Sequence, residues 1–370
     1  MGEAAVGKEE RGGAPEALRF LAAAFIVLYH FGADAPVELA TLSPVLARGW
    51  LATDFFLILS GFVLGRAYGR SLDEGRTDPA AFVGRRLLRV WPAHLVVLAG
   101  FVILVKGAHL LGVEPAHPEH YRMGDLAAQA GLSHAWGLTH NADWNVPSWS
   151  LSALAVCYLA FPGAWAATRG MGPRTAVGLA LLIVAIAAAA ARTLLDRSLY
   201  DLPFDMGVLR ALPLFLGGLL LSRVCARLAL KPAMAGGLGT AALAAVASLA
   251  AAPRGDLADF AAICALGLLI VAADAWKGGR SRLTAWGARI SFALFITHAL
   301  TGAVWYGSER WALSHLGLSA TAQWTWWALG LPAALLAAWA FERVVDAPLQ
   351  RALKGLRWRP GRCPAPAPSG

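Results

Sequence analysis

The sequence has 370 residues, of which 58% are hydrophobic and 15% are charged, and its formal net charge is +9. Soluble domains carry about 25% charged residues, so this composition excludes an ordinary soluble domain and favours a membrane protein. The basic residues lie in short groups between apolar runs rather than on one polar segment, and we therefore do not expect nucleic-acid binding.

Runs of roughly 17–25 apolar residues predict membrane-spanning helices. Ten such runs follow one another along the chain, at 17–33, 47–66, 82–106, 148–167, 174–192, 207–222, 234–252, 257–276, 286–307 and 322–342. The sixth is the shortest and is interrupted by Pro213 and by Gly217-Gly218. The sequence thus predicts an all-α, polytopic integral membrane protein embedded in a lipid bilayer.

Lys and Arg are frequent in every second loop and sparse in the loops between. Basic loops stay in the cytoplasm, so we expect both termini there, in agreement with an even number of spans. The chain then divides into a cytoplasmic N-terminal tail (1–16), a membrane domain (17–358) and a Pro-rich tail (359–370) that we expect to be disordered.

The first predicted helix carries Arg19 near its start and His30 near its end. The eleven residues from one to the other span about 16 Å of α-helix. An ionisable residue inside a membrane span is costly, so His30 is a functional candidate by default. The run, followed by Ala33-Asp34-Ala35, also imitates a cleavable signal peptide; because it contains Arg19 and His30, we favour a retained helix.

Asp54 lies about two turns below the outer end of the second predicted helix, and His30 lies close to the outer end of the first. Adjacent antiparallel helices would bring the two side chains to similar depth. A carboxylate beside an imidazole fixes its tautomer and raises its basicity, which suits a general base. The alternative is that each residue only satisfies a buried polar neighbour.

The third predicted helix begins with a group of arginines, Arg85, Arg86 and Arg89. Guanidinium groups bind phosphate bidentately and stay charged, so the group suits a multiply phosphorylated cytosolic ligand. It suits anchoring to anionic lipid headgroups equally well.

The longest loop, about 107–147, contains five of the nine histidines. Pro118 separates His117 from His120 and there is no third convincing ligand, so we predict a solvated loop and no metal site. The fourth helix is introduced by Asn145, Trp149 and Ser150, whose polar groups suit a hydroxylated acceptor.

Two further polar residues lie within predicted spans, Arg210 in the sixth and His298 in the ninth. Both are expensive in lipid, so we expect them to face the interior of the bundle, where they are candidates for substrate binding.

Taken in order, these residues resemble the acyltransferase-3 family, polytopic membrane enzymes that O-acylate surface polysaccharides and some antibiotics. The matching elements, which extend over 330 residues, are Arg19–His30, Asp54–Phe62, Arg85–Pro92, Trp149–Ser152, Ser291–His298 and Asp346–Pro348. One difference is that Ala153 and Leu154 follow Ser152, where the family usually has Val and Glu.

The resemblance implies a multi-pass enzyme of the cell membrane that transfers an acyl group, expected to be acetyl, to a hydroxyl of a carbohydrate or glycosylated metabolite. His30 would be catalytic, and Arg19 with the arginines of the third helix would bind acyl-CoA as co-substrate. We expect no tightly bound cofactor and no metal; direct transfer and an acyl-enzyme are both open, and so is a homo-oligomer.

Two rival interpretations follow from the same residues. In a transporter or flippase, His30, Asp54, Arg210 and His298 would relay protons or line a solute path. In an inactive relative acting as a partner protein, the absence of the Glu after Ser152 would have removed the activity.

Overall fold

The computed structural model describes residues 13–115, 117–139, 144–202, 204–276 and 281–355. Ten long helices within these ranges are each long and apolar enough to cross a membrane. They are α1 (Ala14–Gly32), α2 (Leu51–Asp73), α3 (Pro79–Leu110), α4 (Trp149–Ala167), α5 (Pro173–Leu195), α6 (Gly207–Cys225), α7 (Pro232–Ala251), α8 (Asp256–Ala275), α9 (Arg282–Leu316) and α10 (Ala320–Phe341). The prediction of an all-α, polytopic fold is confirmed, including the sixth helix. The predicted C-terminal tail lies outside the described residues.

Local capping signals set where several helices begin. α3 begins after Asp78, whose carboxylate accepts a hydrogen bond from the backbone N–H of Ala81 at 2.8 Å. α9 begins after Ser281, whose hydroxyl accepts from the N–H of Thr284 in a reciprocal capping box. Such side chains satisfy N–H groups that have no partner within the helix, which stabilises the helix by about 1 kcal/mol per cap. α3 and α9 thereby begin three and four residues before the predicted apolar runs.

α1 and α9 lie side by side and run parallel. A Cβ atom added at Gly287 would lie 2.7 Å from the ring of Phe20, and one at Gly302 would lie 2.8 Å from the ring of Phe31. The aromatic side chains of α1 therefore fit over glycines of α9 in the same chain direction. In lipid, dispersion contacts rather than the hydrophobic effect hold helices together, and small residues let the helices approach closely enough to make those contacts.

α2 and α6 cross in direct backbone contact. A Cβ atom added at Gly61 would meet the carbonyl oxygen of Phe215, and one at Gly218 would meet that of Ile58. The glycines that interrupt the sixth apolar run are thus part of the packing surface between two helices rather than a break in one of them.

The two ends of the bundle differ in chemistry. α1 and α9 begin, and α10 ends, at what we call the arginine end, where Arg19, Arg89 and Arg289 line a common cavity. α10 continues there into a π-helical turn, Glu342–Asp346. The connection from α3 to α4 lies at the opposite end, which we call the loop end.

At the loop end, one histidine differs from the prediction of a solvated loop. His109 and His117 are exposed, as predicted for a solvated loop, but His134 is only 4% exposed. Its Nε2 atom lies 3.1 Å from the hydroxyl of Ser148, and its ring stacks on that of His94 with 6.3 Å between the centres. These contacts bury His134 and hold the loop against α3 and the residues just before α4. His140 lies outside the described residues.

Candidate active site

Two imidazole rings meet inside the bundle, where α1 and α9 pack together. Nδ1 of His30 lies 2.8 Å from Nε2 of His298, and the ring centres are 5.0 Å apart. His298 is fully buried, whereas His30 keeps partial access to its surroundings. The sequence predicted each of these residues as a functional candidate, but it assigned them to different roles and did not predict their contact.

The hydrogen bonds of His298 fix the tautomers of both rings. Nδ1 of His298 lies 2.8 Å from the carbonyl oxygen of Phe295, and a carbonyl oxygen can only accept. Nδ1 of His298 therefore carries the proton, and in the neutral ring its Nε2 accepts from Nδ1–H of His30. The proton-free nitrogen of His30 is then Nε2, for which no described residue supplies a hydrogen-bond partner. This nitrogen has the free lone pair that a general base needs.

The predicted pairing of Asp54 with His30 is wrong. Both carboxylate oxygens of Asp54 accept hydrogen bonds from Arg210 on α6, at 2.8 and 2.9 Å. Asp54 is 0% exposed and Arg210 is 6% exposed. A buried carboxylate needs an opposite charge, and the planar guanidinium supplies that charge and two parallel donors, whereas a neutral imidazole supplies neither.

Aromatic rings surround this ion pair. The guanidinium carbon of Arg210 lies 4.9 Å from the ring centre of Trp50 and 5.9 Å from that of Trp149, and its Nη1 donates to the carbonyl oxygen of Tyr200 at 2.8 Å. Trp149 and Arg210, both predicted to bind substrate, are thus brought together. The prediction that Arg210 faces the bundle interior is confirmed.

The start of α4 is tied to the helix that carries His298. The side-chain amide of Asn145 donates to the carbonyl oxygen of Ile296 at 3.1 Å, and its Oδ1 atom is buried without a hydrogen-bond partner among the described residues. The hydroxyl of Ser150 donates to the carbonyl oxygen of Pro147 at 3.1 Å. Of these two predicted substrate-binding residues, Asn145 has a buried acceptor without a partner among the described residues, and its amide contacts Ile296, two residues before His298 in α9.

Leu154 stands where the family pattern has a Glu, and it is buried in the apolar core. No carboxylate therefore occupies this position on α4. The residues that flank it, Ala153 and Ala155, are buried as well.

A cavity of about 470 Å³ opens at the arginine end. Pockets that bind small molecules span about 300–1,000 Å³, so its size suits a ligand. Its lining residues are Glu16, Arg19, Arg89, Ala285, Ala288, Arg289, Glu342, Asp346, Ala347 and Gln350. The sequence predicted Arg19 and Arg89 as ligand-binding residues but not Arg289. Arg289 lies on the same apolar run as His298, which could have marked it as a candidate.

The arginines at the start of α3 diverge rather than form one group. Arg89 makes a bidentate ion pair with Asp346, at 2.8 and 3.1 Å, and lines the cavity. Arg86 donates to the hydroxyl of Tyr68, and its guanidinium lies over that ring, 4.6 Å from the centre. Arg85 is exposed and does not line the cavity.

The same two helices connect the cavity to the imidazole pair. Arg19 donates to the carbonyl oxygen of Ala288 at 2.6 Å at the arginine end, and His30 meets His298 farther along. The eleven residues from Arg19 to His30 and the ten from Ala288 to His298 both correspond to about 15–16 Å of helix. The cavity lining and the imidazole pair are therefore about 15–16 Å apart along these helices.

The fold and the site define a multi-pass membrane protein with a buried imidazole pair and an arginine-lined cavity. The chain belongs to the acyltransferase-3 family: the family model described as an acyltransferase domain matches residues 13–343. It is similar to Protein 2 in picA locus from Rhizobium radiobacter, with 34% identity over 119 residues that cover 30% of this chain and 56% of that protein. It is also similar to acyltransferase MdmB from Streptomyces mycarofaciens, with 34% identity over 154 residues that cover 39% of this chain and 37% of that protein.

The matched region spans about half of the first relative and about a third of the second. No solved structure matches the chain significantly.

Proposed function

We propose that the protein is an O-acyltransferase of the plasma membrane that moves an acyl group from cytoplasmic acyl-CoA to a hydroxyl of a carbohydrate or a glycosylated metabolite. The observation that carries the proposal is the contact of His30 with His298, which leaves one basic nitrogen open within the bundle. Membership of an acyltransferase family and similarity to the acyltransferase MdmB support acyl transfer as the reaction.

The arginine end is the cytoplasmic end in this proposal. Basic residues favour the cytoplasmic side of a membrane, and acyl-CoA is a cytoplasmic donor that carries several negative charges. Arg19, Arg89 and Arg289 line its entrance. The pantetheine arm then extends from the cavity along α1 and α9 and brings the thioester toward His30.

In the reaction, Nε2 of His30 removes the proton from the acceptor hydroxyl while that oxygen attacks the thioester carbonyl. The C–O bond forms, the C–S bond breaks, and the proton passes from His30 to the departing CoA thiolate. His298 accepts from Nδ1–H of His30 throughout, so it holds the ring in place and stabilises the positive charge that the ring acquires. Positioning and general-base catalysis supply the rate.

The test uses purified protein in lipid vesicles, acetyl-CoA labelled in its acetyl group, and fractionated glycans and glycosylated metabolites as acceptors. We expect the label to move from the thioester into an O-acetyl ester, which mass spectrometry detects. A transporter would leave the label on CoA. Label that stays on CoA with every fraction, under conditions where the protein is folded and binds acetyl-CoA, would contradict the proposal.

A further inference from the structure

A second cavity, of about 300 Å³, lies beside the first at the arginine end. It is lined by Trp286, Arg289, Ile290, Trp339, Glu342 and Arg343. Arg289 and Glu342 line both cavities, so the two are neighbours across these side chains. The second cavity contains none of the residues that the sequence singled out.

The two cavities differ in their charge. In the first, three arginines face three carboxylates, and Arg89 is already paired with Asp346. In the second, Arg289 and Arg343 face the single carboxylate of Glu342. Both of these arginines are exposed, and neither forms an ion pair with any residue in the described part of the chain. The lining of the second cavity therefore has one more arginine than carboxylates, whereas the lining of the first has equal numbers.

Two indole rings line the same cavity. Trp286 is held by Phe20, whose ring meets it edge to face with 5.8 Å between the centres. Trp339 is 38% exposed, and the guanidinium carbon of Arg343 lies 5.4 Å from its ring centre. Exposed aromatic faces bind nucleic-acid bases by stacking, and neighbouring guanidinium groups bind phosphate. A carboxylate such as that of Glu342 accepts from the exocyclic amine of a base.

The π-helical turn Glu342–Asp346 explains how one short segment serves both cavities. A π-helical turn contains an extra residue, so the side chains that follow it change direction, and such turns are frequent at functional sites. Here Arg343 lines the second cavity, Glu342 lines both cavities, and Asp346 at the end of the same turn lines the first and binds Arg89.

From these observations we propose that the second cavity binds the nucleotide end of acyl-CoA. The adenine base stacks on Trp339, and the phosphates lie on Arg289 and Arg343. This assignment rests on the proposed function, and it divides the donor between the two cavities: the nucleotide stays in the second, and the pantetheine arm passes through the first toward His30.

The experiment compares two donors that differ only in the nucleotide, acetyl-CoA and acetyl-phosphopantetheine, by their dissociation constants for purified protein. Trp339→Leu is expected to weaken the binding of acetyl-CoA about tenfold and that of acetyl-phosphopantetheine by less than about twofold. Arg343→Gln is expected to act in the same direction. Binding of the shorter donor shows that each variant is folded, and adenosine 3′,5′-bisphosphate should compete with acetyl-CoA for the wild-type protein only.

Trp311→Leu is the matched control, since Trp311 is an exposed tryptophan of α9 that does not line the cavity. Equal losses for both donors, or no loss for either, in Trp339→Leu would overturn the nucleotide subsite and leave the proposed function intact. Wild-type protein that binds neither donor would overturn the proposed function itself. A loss that depends on anionic phospholipid in the vesicles, and not on the length of the donor, would assign the cavity to a lipid headgroup instead.

Discussion

Two pairs of polar side chains lie inside the bundle, and they differ in what they leave unsatisfied. In the Asp54–Arg210 pair, opposite charges cancel, and the carboxylate accepts two hydrogen bonds from the guanidinium. In the His30–His298 pair, one nitrogen of His30 has no partner in the part of the chain that the structure describes. A buried ion pair whose charges and hydrogen-bonding groups are satisfied by each other has a structural role. A basic nitrogen without a hydrogen-bond partner can take a proton from a substrate. The two pairs thus differ as a structural pair does from the catalytic pair that we propose.

The largest expected effect is on the structural pair. Asp54→Asn leaves the Arg210 guanidinium buried without its counter-charge, and we expect the free energy of unfolding to fall by about 3–5 kcal/mol. The loss is measured as a lower unfolding midpoint of the purified protein. Asp256→Asn is the control, since Asp256 and its partner Arg192 are exposed and the expected loss is below about 1 kcal/mol. Similar small losses in both variants would contradict the structural assignment of Asp54.

The imidazole of His134 at the loop end extends the comparison to pH. Burial, and secondarily the positive charge on His94, lowers the pKa of His134 from 6.5 to about 4. The unfolded chain therefore binds a proton at higher pH than the folded protein does, so stability is full above about pH 6.5 and falls toward pH 4. The loss is at most about 3 kcal/mol.

This pH dependence is measured by following the unfolding midpoint from about pH 7 to about pH 4. His134→Gln should flatten the profile, whereas His117→Gln, which changes an exposed histidine, should keep the wild-type slope. An unchanged slope in His134→Gln would show that another group causes the acid sensitivity.

A smaller effect is expected from His298, which acts through His30 in the proposed mechanism. His298→Leu removes the acceptor of Nδ1–H of His30, so we expect kcat for acyl transfer to fall about ten- to a hundredfold, part of the 10²–10⁴ that a positioned base contributes. KM for acetyl-CoA should stay near its wild-type value. His298→Gln keeps an acceptor oxygen and should recover part of the loss. Equal activities of the Leu and Gln variants would contradict the positioning role.

The smallest expected effects lie at the arginine end. Arg19→Gln removes a cation from the lining of the first cavity and should raise KM for acetyl-CoA about three- to tenfold, since charge-assisted hydrogen bonds to phosphate are the strong ones. Arg85→Gln, a matched change at an exposed arginine outside that lining, should leave KM within about twofold of wild type. If Arg85→Gln has the larger effect, the donor enters elsewhere.

The sequence was sufficient for the fold and for the identity of the central residues, because length and hydropathy determine spans and because polar residues within spans are rare. It was insufficient for their partners. The sequence predicts Asp54 and His30 at similar depth, but depth does not say which helices are neighbours. The contact of α2 with α6 through Gly61 and Gly218 decides that Asp54 meets Arg210 instead.

Helix packing also explains what the sequence missed at the ends of the bundle. Arg48 lies at the edge of the second predicted span, where the sequence indicates no partner, yet it is 3% exposed and donates to the carbonyl oxygens of Leu249 and Ala252, where α7 ends. Arg289 and Glu342 lie on different helices, and only the meeting of α9 with the end of α10 places them in one cavity. Such contacts join residues far apart in the chain, and no periodicity records them.

The most direct test of the account is the rate of labelled acetyl transfer from acetyl-CoA by His30→Gln and by wild-type protein, at equal amounts of folded enzyme in the same vesicles. A base that removes the acceptor proton contributes about 10²–10⁴ in rate, so the variant should be slower by at least about a hundredfold while its binding of acetyl-CoA is unchanged. Transfer by His30→Gln at the wild-type rate would show that the acceptor proton goes to another group.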